Sequence, residues 1–167
     1  QQEYPLKLRN ALLYSNYLAK KERTDLNRAV LYEIGNTYFR YGLNEKALTK
    51  YLEGDNQAPE IFDYAFESKL DKQVALTQFR LHKFDEARQK LDAIQKNAAN
   101  AQDWNSVLWA LQQQSKIQHE LKNYDEELKI AGRIVALADT LELEEAKRTA
   151  IDNQAYAYRY LGRYDEA

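Results

Sequence analysis

The sequence predicts an all-α fold, an α-α solenoid of stacked helical hairpins, and three observations carry that prediction. A four-residue phrase recurs forty residues apart: Phe84-Asp85-Glu86-Ala87, Tyr124-Asp125-Glu126-Glu127 and Tyr164-Asp165-Glu166-Ala167. Asn44-Glu45-Lys46-Ala47 and Tyr4-Pro5-Leu6-Lys7 stand in the same phase upstream. A repeat of roughly 20–50 residues marks units that bury their apolar faces only against their neighbours. Within a unit, apolar residues recur at spacings of three and four, as in Trp104, Val107, Leu108 and Leu111 and in Tyr124, Leu128, Ala131, Ile134 and Val135. That is the period of an amphipathic helix, and no alternating strand pattern competes with it. Short polar corners separate the helical stretches, which forces neighbouring helices to run antiparallel.

In chain order, helices are expected over 5–21, 26–41, 44–55, 59–82, 84–98, 102–121, 124–140, 143–161 and from 164 onward. Pro5 suits the first turn of the first helix, where its missing N–H leaves nothing unsatisfied. The corners inside the hairpins are Tyr41-Gly42-Leu43, His82-Lys83, Lys122-Asn123 and Gly162-Arg163. Glycine there can take the left-handed conformation that ends a helix. The recurring Asp-Glu pairs tempt a reading as catalytic acids or metal ligands. They fall in the first turn of a helix, where acidic side chains complement the exposed amides, and adjacent helical residues do not point the same way. Residues 1–167 then read as one array. The second helix of a leading repeat occupies 5–21, repeats follow at about 26–55, 59–98, 102–140 and 143–167, and the last is truncated.

Composition narrows the function. The apolar fraction of 44% and charged fraction of 30% suit a folded chain, and two prolines and five glycines leave little room for linkers. A net charge of −2 supplies no field to draw in nucleic acid or to drive membrane insertion, and neither is expected as a partner. Thirteen tyrosines invite the idea of base stacking, but the charge balance gives no phosphate track. The absence of cysteine removes disulfides, thiolate metal sites and thiol nucleophiles together. His82 and His119 are too few and too distant in sequence for a metal site. No glycine-rich phosphate loop, nucleophile elbow or zinc motif appears, so neither enzymatic activity nor a cofactor is expected. No apolar run approaches the ~18 residues of a membrane span, and Gln1-Gln2-Glu3 opens no signal segment. Cytoplasm and periplasm both fit this composition. The chain has no initiating methionine and stops at Ala167, inside the first turn of an expected helix, so the native protein is expected to extend further.

The first full unit resembles the tetratricopeptide repeat. Leu31 stands for its tryptophan, Ile34-Gly35 for Leu-Gly, Tyr38 for the tyrosine, Ala47 and Tyr51 for the alanine and aromatic of the next helix, and Pro59 closes the unit. Later units carry Val74-Ala75, Ala87 and Leu91; Leu111, Ser115 and Ala131; and Ile151, Ala155, Tyr158 and Ala167. The third departs most, with Gln114 where leucine is expected and Glu127 where alanine is. The forty-residue period exceeds the usual ~34 and is similar to the longer variant found in bacterial regulatory and sensor proteins. Gly35 and Ala47 are small where two helices of a hairpin meet, with Leu31, Tyr38 and Tyr51 filling the wedge beside them.

The resemblance implies a right-handed superhelix whose first helices line a concave, partner-binding groove. The candidate groove residues are Tyr32, Asn36, Phe39 and Arg40; Lys69, Lys72, Leu76 and Arg80; Trp109, Gln112, Lys116 and His119; and Asp152, Tyr156 and Arg159. Cations and aromatics predominate, which suits a peptide with acidic and apolar side chains. Family members that hold a terminal carboxylate use a clamp of lysines, asparagines and arginine. Only Asn36 matches it, since Tyr32 stands at a clamp lysine and Trp109 and Gln113 replace the basic pair. No preference for a free C-terminus is expected. The expected function is a protein-interaction scaffold, with the sensory region of a longer signalling protein as the alternative. Self-association through Ile151, Tyr158 and Leu161 is expected where the last hairpin is incomplete.

Overall fold

The computed structural model describes residues 6–167 and contains eight α-helices and no strand among them. They are α1 (Leu6–Lys20), α2 (Thr24–Arg40), α3 (Asn44–Asp55), α4 (Tyr64–Arg80), α5 (Phe84–Asn100), α6 (Trp104–Glu120), α7 (Tyr124–Thr140) and α8 (Glu144–Tyr160), followed by a 3₁₀ turn at Tyr164–Glu166. The chain packs as two compact units, the first running to Ala87 and the second from Arg88 to Ala167, with the division inside α5. The expected start at Tyr4-Pro5 lies outside the described residues.

Successive helices of each unit pack as antiparallel hairpins, and the same corner closes nearly all of them. Glu22, Gly42, His82, Gln102, Lys122, Glu142 and Gly162 each take a positive φ, between 53° and 72°. Each is followed by a residue whose N–H reaches back to a carbonyl of the helix just ended. These bonds run from Arg23 to Leu18, Leu43 to Tyr38, Lys83 to Gln78, Asp103 to Ala98, Asn123 to Gln118, Leu143 to Ala138 and Arg163 to Tyr158, at 2.8–3.1 Å. This is the Schellman closure, which satisfies helix-end carbonyls that have no intrahelical donor. The corners fall every twenty residues, with position 62 alone skipped, so the forty-residue repeat contains two half-steps of equal length. Apart from α3, every helix from α2 to α8 has 17 residues, about 25 Å.

The exception is α3, with 12 residues, and the connection that follows it. A helix expected from residue 59 begins instead at Tyr64, because long-range hydrogen bonds hold the preceding backbone in another course. The Asp25 carboxylate accepts from the Glu60 N–H at 2.9 Å and the Ile61 N–H at 3.2 Å, while Glu60 Oε1 accepts from the Thr24 N–H at 3.2 Å. Asp63 then caps α4, accepting from the N–H groups of Ala65 and Phe66. The end of α3 is tied to α2 by the buried Arg28, whose Nε donates to the Gly54 carbonyl at 3.0 Å. Its guanidinium pairs with Glu67 of α4 at 2.6 Å. That hydrogen bond to Glu67 is the main reason the Arg28 pKa is raised. Of the helix expected from 164 onward, the described residues hold one 3₁₀ turn, Tyr164–Glu166.

The core of the first unit is built from Leu8, Ile34, Tyr38, Ala47, Leu48, Tyr51, Leu70 and Val74. Tyr51 is completely buried and lies directly over Gly35. In the second unit Ala98, Val107, Leu108, Leu111, Ile130, Ile134 and Ala150 form the core. The two departures from the repeat pattern keep their places there as buried polar groups with partners. Gln114 donates to Asp92 at 2.6 Å, and the carboxylate of Glu127 meets His119 Nδ1 at 3.1 Å. Buried polar atoms are tolerated when so paired.

Candidate partner-binding faces

The first helices of the hairpins in the first unit are α2 and α4, and the structure divides their candidate residues between packing and solvent. The half-buried ring of Tyr32 sits 6.0 Å from that of Tyr51 and edge-on to Phe66 at 5.8 Å. Asn36 Oδ1 accepts a hydrogen bond from the Tyr51 hydroxyl at 2.7 Å. Burial pushes the Tyr51 phenol up, which keeps it a proton donor to Asn36. Tyr32 and Asn36 therefore serve the junction between α2, α3 and α4. Phe39 and Arg80 are brought together across α2 and α4, the guanidinium carbon lying 3.8 Å from the ring centroid. Arg40, Arg80 and Lys69 are exposed, Leu76 is half-buried, and Lys72 is half-buried and engaged with a neighbour. Arg40 also lines a separate hollow of about 490 Å³ with Lys7, Glu33 and Tyr41 of the α1–α2 side.

In the second unit the corresponding helices are α6 and α8. Trp109 and Gln112, both half-buried, line a hollow of about 590 Å³ between the two. Leu108, Leu143 and Ala146 supply its apolar wall, and Glu142, Glu144 and Glu145 stand among its lining residues. These carboxylates escaped the sequence reading, which placed candidates by their phase within the first helix and so passed over the corner before α8. The run Leu141-Glu142-Leu143-Glu144-Glu145 was the available signal. Lys116, Asp152, Tyr156 and Arg159 are exposed, and the Arg159 guanidinium lies 6.0 Å from the Tyr156 ring.

His119 belongs to a cluster that joins three helices. Its ring meets Tyr124 of α7 at 5.7 Å and Tyr160 of α8 at 5.6 Å, both edge-on, and those two rings stack on each other at 4.8 Å with an interplanar angle of 7°. The Glu127 carboxylate that meets His119 is buried, the residue being 4% exposed. Burial pushes its carboxyl up, and the hydrogen bond from His119 partly offsets this. Among the described residues no three His, Asp or Glu side chains converge closely enough to hold a metal ion, and no helix is long and apolar enough to cross a membrane.

No protein-family model matches the chain, and no curated protein is similar enough to match it. Among solved structures, it is similar to a Signal Transduction ATPase with Numerous Domains (STAND) protein with a tetratricopeptide repeat sensor from Pyrococcus horikoshii. The TM-score is 0.75 and the identity 17%, over 99% of this chain and 26% of that one. At that identity the likeness is one of fold: a tandem run of helices like those of a tetratricopeptide-repeat protein, covering about a quarter of the neighbour's length.

Proposed function

We propose that this chain is a protein-interaction module of the longer tetratricopeptide type, which recognises a partner segment on the faces of its first helices. The observation that carries this reading is the α2–α4 face. There the Arg80 guanidinium lies over the Phe39 ring, Arg40 and Lys69 stand in solvent, and none of these cations has a carboxylate partner among the described residues. An aromatic–cation surface of this kind suits a segment with acidic and apolar side chains, the rings contributing affinity and the charges steering encounter. Read by the same rule, α6 and α8 give the second unit a candidate face of its own, with Lys116, Tyr156 and Arg159 exposed.

A second reading, the sensory or regulatory region of a longer signalling protein, is supported by the fold shared with the STAND protein, whose repeats are described as a sensor. Both readings share the first test, a capture experiment from source lysate comparing the chain with its Lys69→Glu/Arg80→Glu variant, folding being verified by circular dichroism. A protein retained by the former and lost by the latter is the expected result. Equal recovery by both would remove the α2–α4 face from the proposal.

A further inference from the structure

Two helix faces are open at register positions that the hairpins α2–α3 and α6–α7 close. In the first unit Tyr51 of α3 lies over Gly35 of α2, and Gly54, one turn on, faces Leu31, a Cβ there lying 3.8 Å from the leucine's own. In the second unit the same α3 positions recur in α7 as Ala131 and Ile134, both buried, the latter 1% exposed. In α1 they are Ala11, half-buried, and Tyr14, 49% exposed. The two α2 positions recur in α6 as Leu111 and Ser115, each 2% exposed, but in α8 they are Ile151, 46% exposed, and Ala155, half-buried. Among the described residues, α1 thus lacks a helix in the place that α2 holds beside α3, and α8 lacks one in the place that α3 holds beside α2. Lys7, Leu8 and Ala11 accordingly line the hollow of about 490 Å³ that α1 shares with α2.

We infer that α8 of one copy of this chain packs against α1 of a second copy, with Ala155 set against Ala11 and Ile151 against Tyr14. Phase identifies the occupant. The forty-residue repeat puts α1 in step with α3 and α7, and α8 in step with α2 and α6, so the contact repeats between copies what α2 makes with α3 inside one. Side-chain size agrees with this. Where the first hairpin sets a tyrosine over a glycine, the second unit has Ala131 and Ser115 at those places, and the pair between copies is alanine and alanine. Beside it the rings of Tyr14 and Tyr17 lie parallel at 6.4 Å and offer their apolar surface together, which suits burial against Ile151. The exposed turn Tyr164–Glu166 is in phase with the first turn of an incoming helix, so the contact begins beyond it, at Ala11. Two different faces meet, and each copy carries one of each, which makes the interface heterologous.

The test is sedimentation velocity on the 167-residue chain over about a hundredfold range of concentration, circular dichroism confirming that each variant folds. The unaltered chain is expected to associate as its concentration rises. Tyr14→Lys and Ile151→Lys, each altering one exposed side chain on one of the two faces, should each weaken association about tenfold or more, because a charge is then carried into an apolar contact. Mixed in equal amounts, the two variants should form a dimer, since one keeps its α8 face and the other its α1 face. Leu13→Lys is the control: Leu13 is exposed on α1, but Glu53 and Arg133 in the same phase stand in solvent, so association should not change. An unaltered chain that stays monomeric throughout would overturn the inference and leave both faces to helices of another sequence. Undiminished association of Tyr14→Lys would replace it with a contact between two α8 faces. Failure of the mixture to dimerise, or an equal loss with Leu13→Lys, would also overturn it. None of these results bears on the α2–α4 face, which has its own capture experiment.

Discussion

Adding one methyl group to Gly35 tests the packing of the first hairpin more sharply than any truncation. A Cβ at that position would lie 2.4 Å from Cε1 and 2.6 Å from Cδ1 of Tyr51. Ordinary carbon contacts are ~3.5–4.0 Å, so the ring would have to retreat by about 1 Å. It has nowhere free to go: Tyr51 is completely buried and its hydroxyl is tied to Asn36 at 2.7 Å. Overpacking of this kind costs ~1–3 kcal/mol, and straining or losing the hydroxyl bond adds ~1 kcal/mol. Against this, alanine is worth ~1 kcal/mol more than glycine in a helix interior. The expected net effect of Gly35→Ala is therefore a destabilisation of ~1–3 kcal/mol. Urea unfolding followed by circular dichroism reads it, using the transition that contains the first unit, since repeat arrays can unfold in parts. In a Tyr51→Leu background the obstruction is gone, and Gly35→Ala should become neutral or stabilising. A stabilised single variant, or the same shift in both backgrounds, would refute the argument.

Four further outcomes are expected. Gly132→Ala in α7 meets nothing nearer than Gln154 Nε2 at 3.8 Å, so it should stabilise the second unit by ~0.5–1 kcal/mol in the same assay. Lys122→Gly relieves a side chain held at φ 57° in an exposed corner and should raise the melting temperature by a few degrees at most, for a gain of ~1 kcal/mol or less. Glu127 is protonated in both states at low pH; as pH rises the unfolded chain ionises first, and the folded state loses stability as pH climbs through the raised folded value. The stability advantage of Glu127→Gln over the natural chain should accordingly grow from acid to neutral pH, and a pH-independent difference would show the carboxyl to be unperturbed. Ile151 is 46% exposed on α8, and self-association through the face it shares with Tyr158 and Leu161 should appear as a concentration-dependent sedimentation coefficient, diminished by Ile151→Lys.

Much of the architecture was legible because it is local. The helix over 124–140 carries its own periodicity, and its observed bounds are the expected ones. The start of α4 was not legible, because Asp25 holds Glu60 and Ile61 across 35 and 36 residues, a tertiary choice that overrides a helix-compatible sequence. The twenty-residue corner was hidden for another reason. Left-handed corners are occupied by Glu, Gly, His, Gln and Lys here, and side-chain identity says little where an exposed backbone bond pattern sets the conformation. For the candidate faces, helical phase separated α2 from its surroundings without deciding whether Tyr32 and Asn36 face a partner or Tyr51. Glu142, Glu144 and Glu145 share a hollow with Trp109 and Gln112 only through tertiary packing, which no single-helix pattern encodes.

The even spacing of those corners gives the chain a reading frame of its own. Each half-step reverses chain direction, so a cassette of forty residues could be inserted or removed between two corners with every later helix keeping its role. A cassette of twenty would exchange the roles instead, putting the first helix of each later hairpin in the place of the second. Exposed corner residues such as Lys122 and Gln102 are therefore the natural seams for splicing the array, and the skipped corner near Phe62, where the frame is held by Asp25, is the one place where a seam should fail.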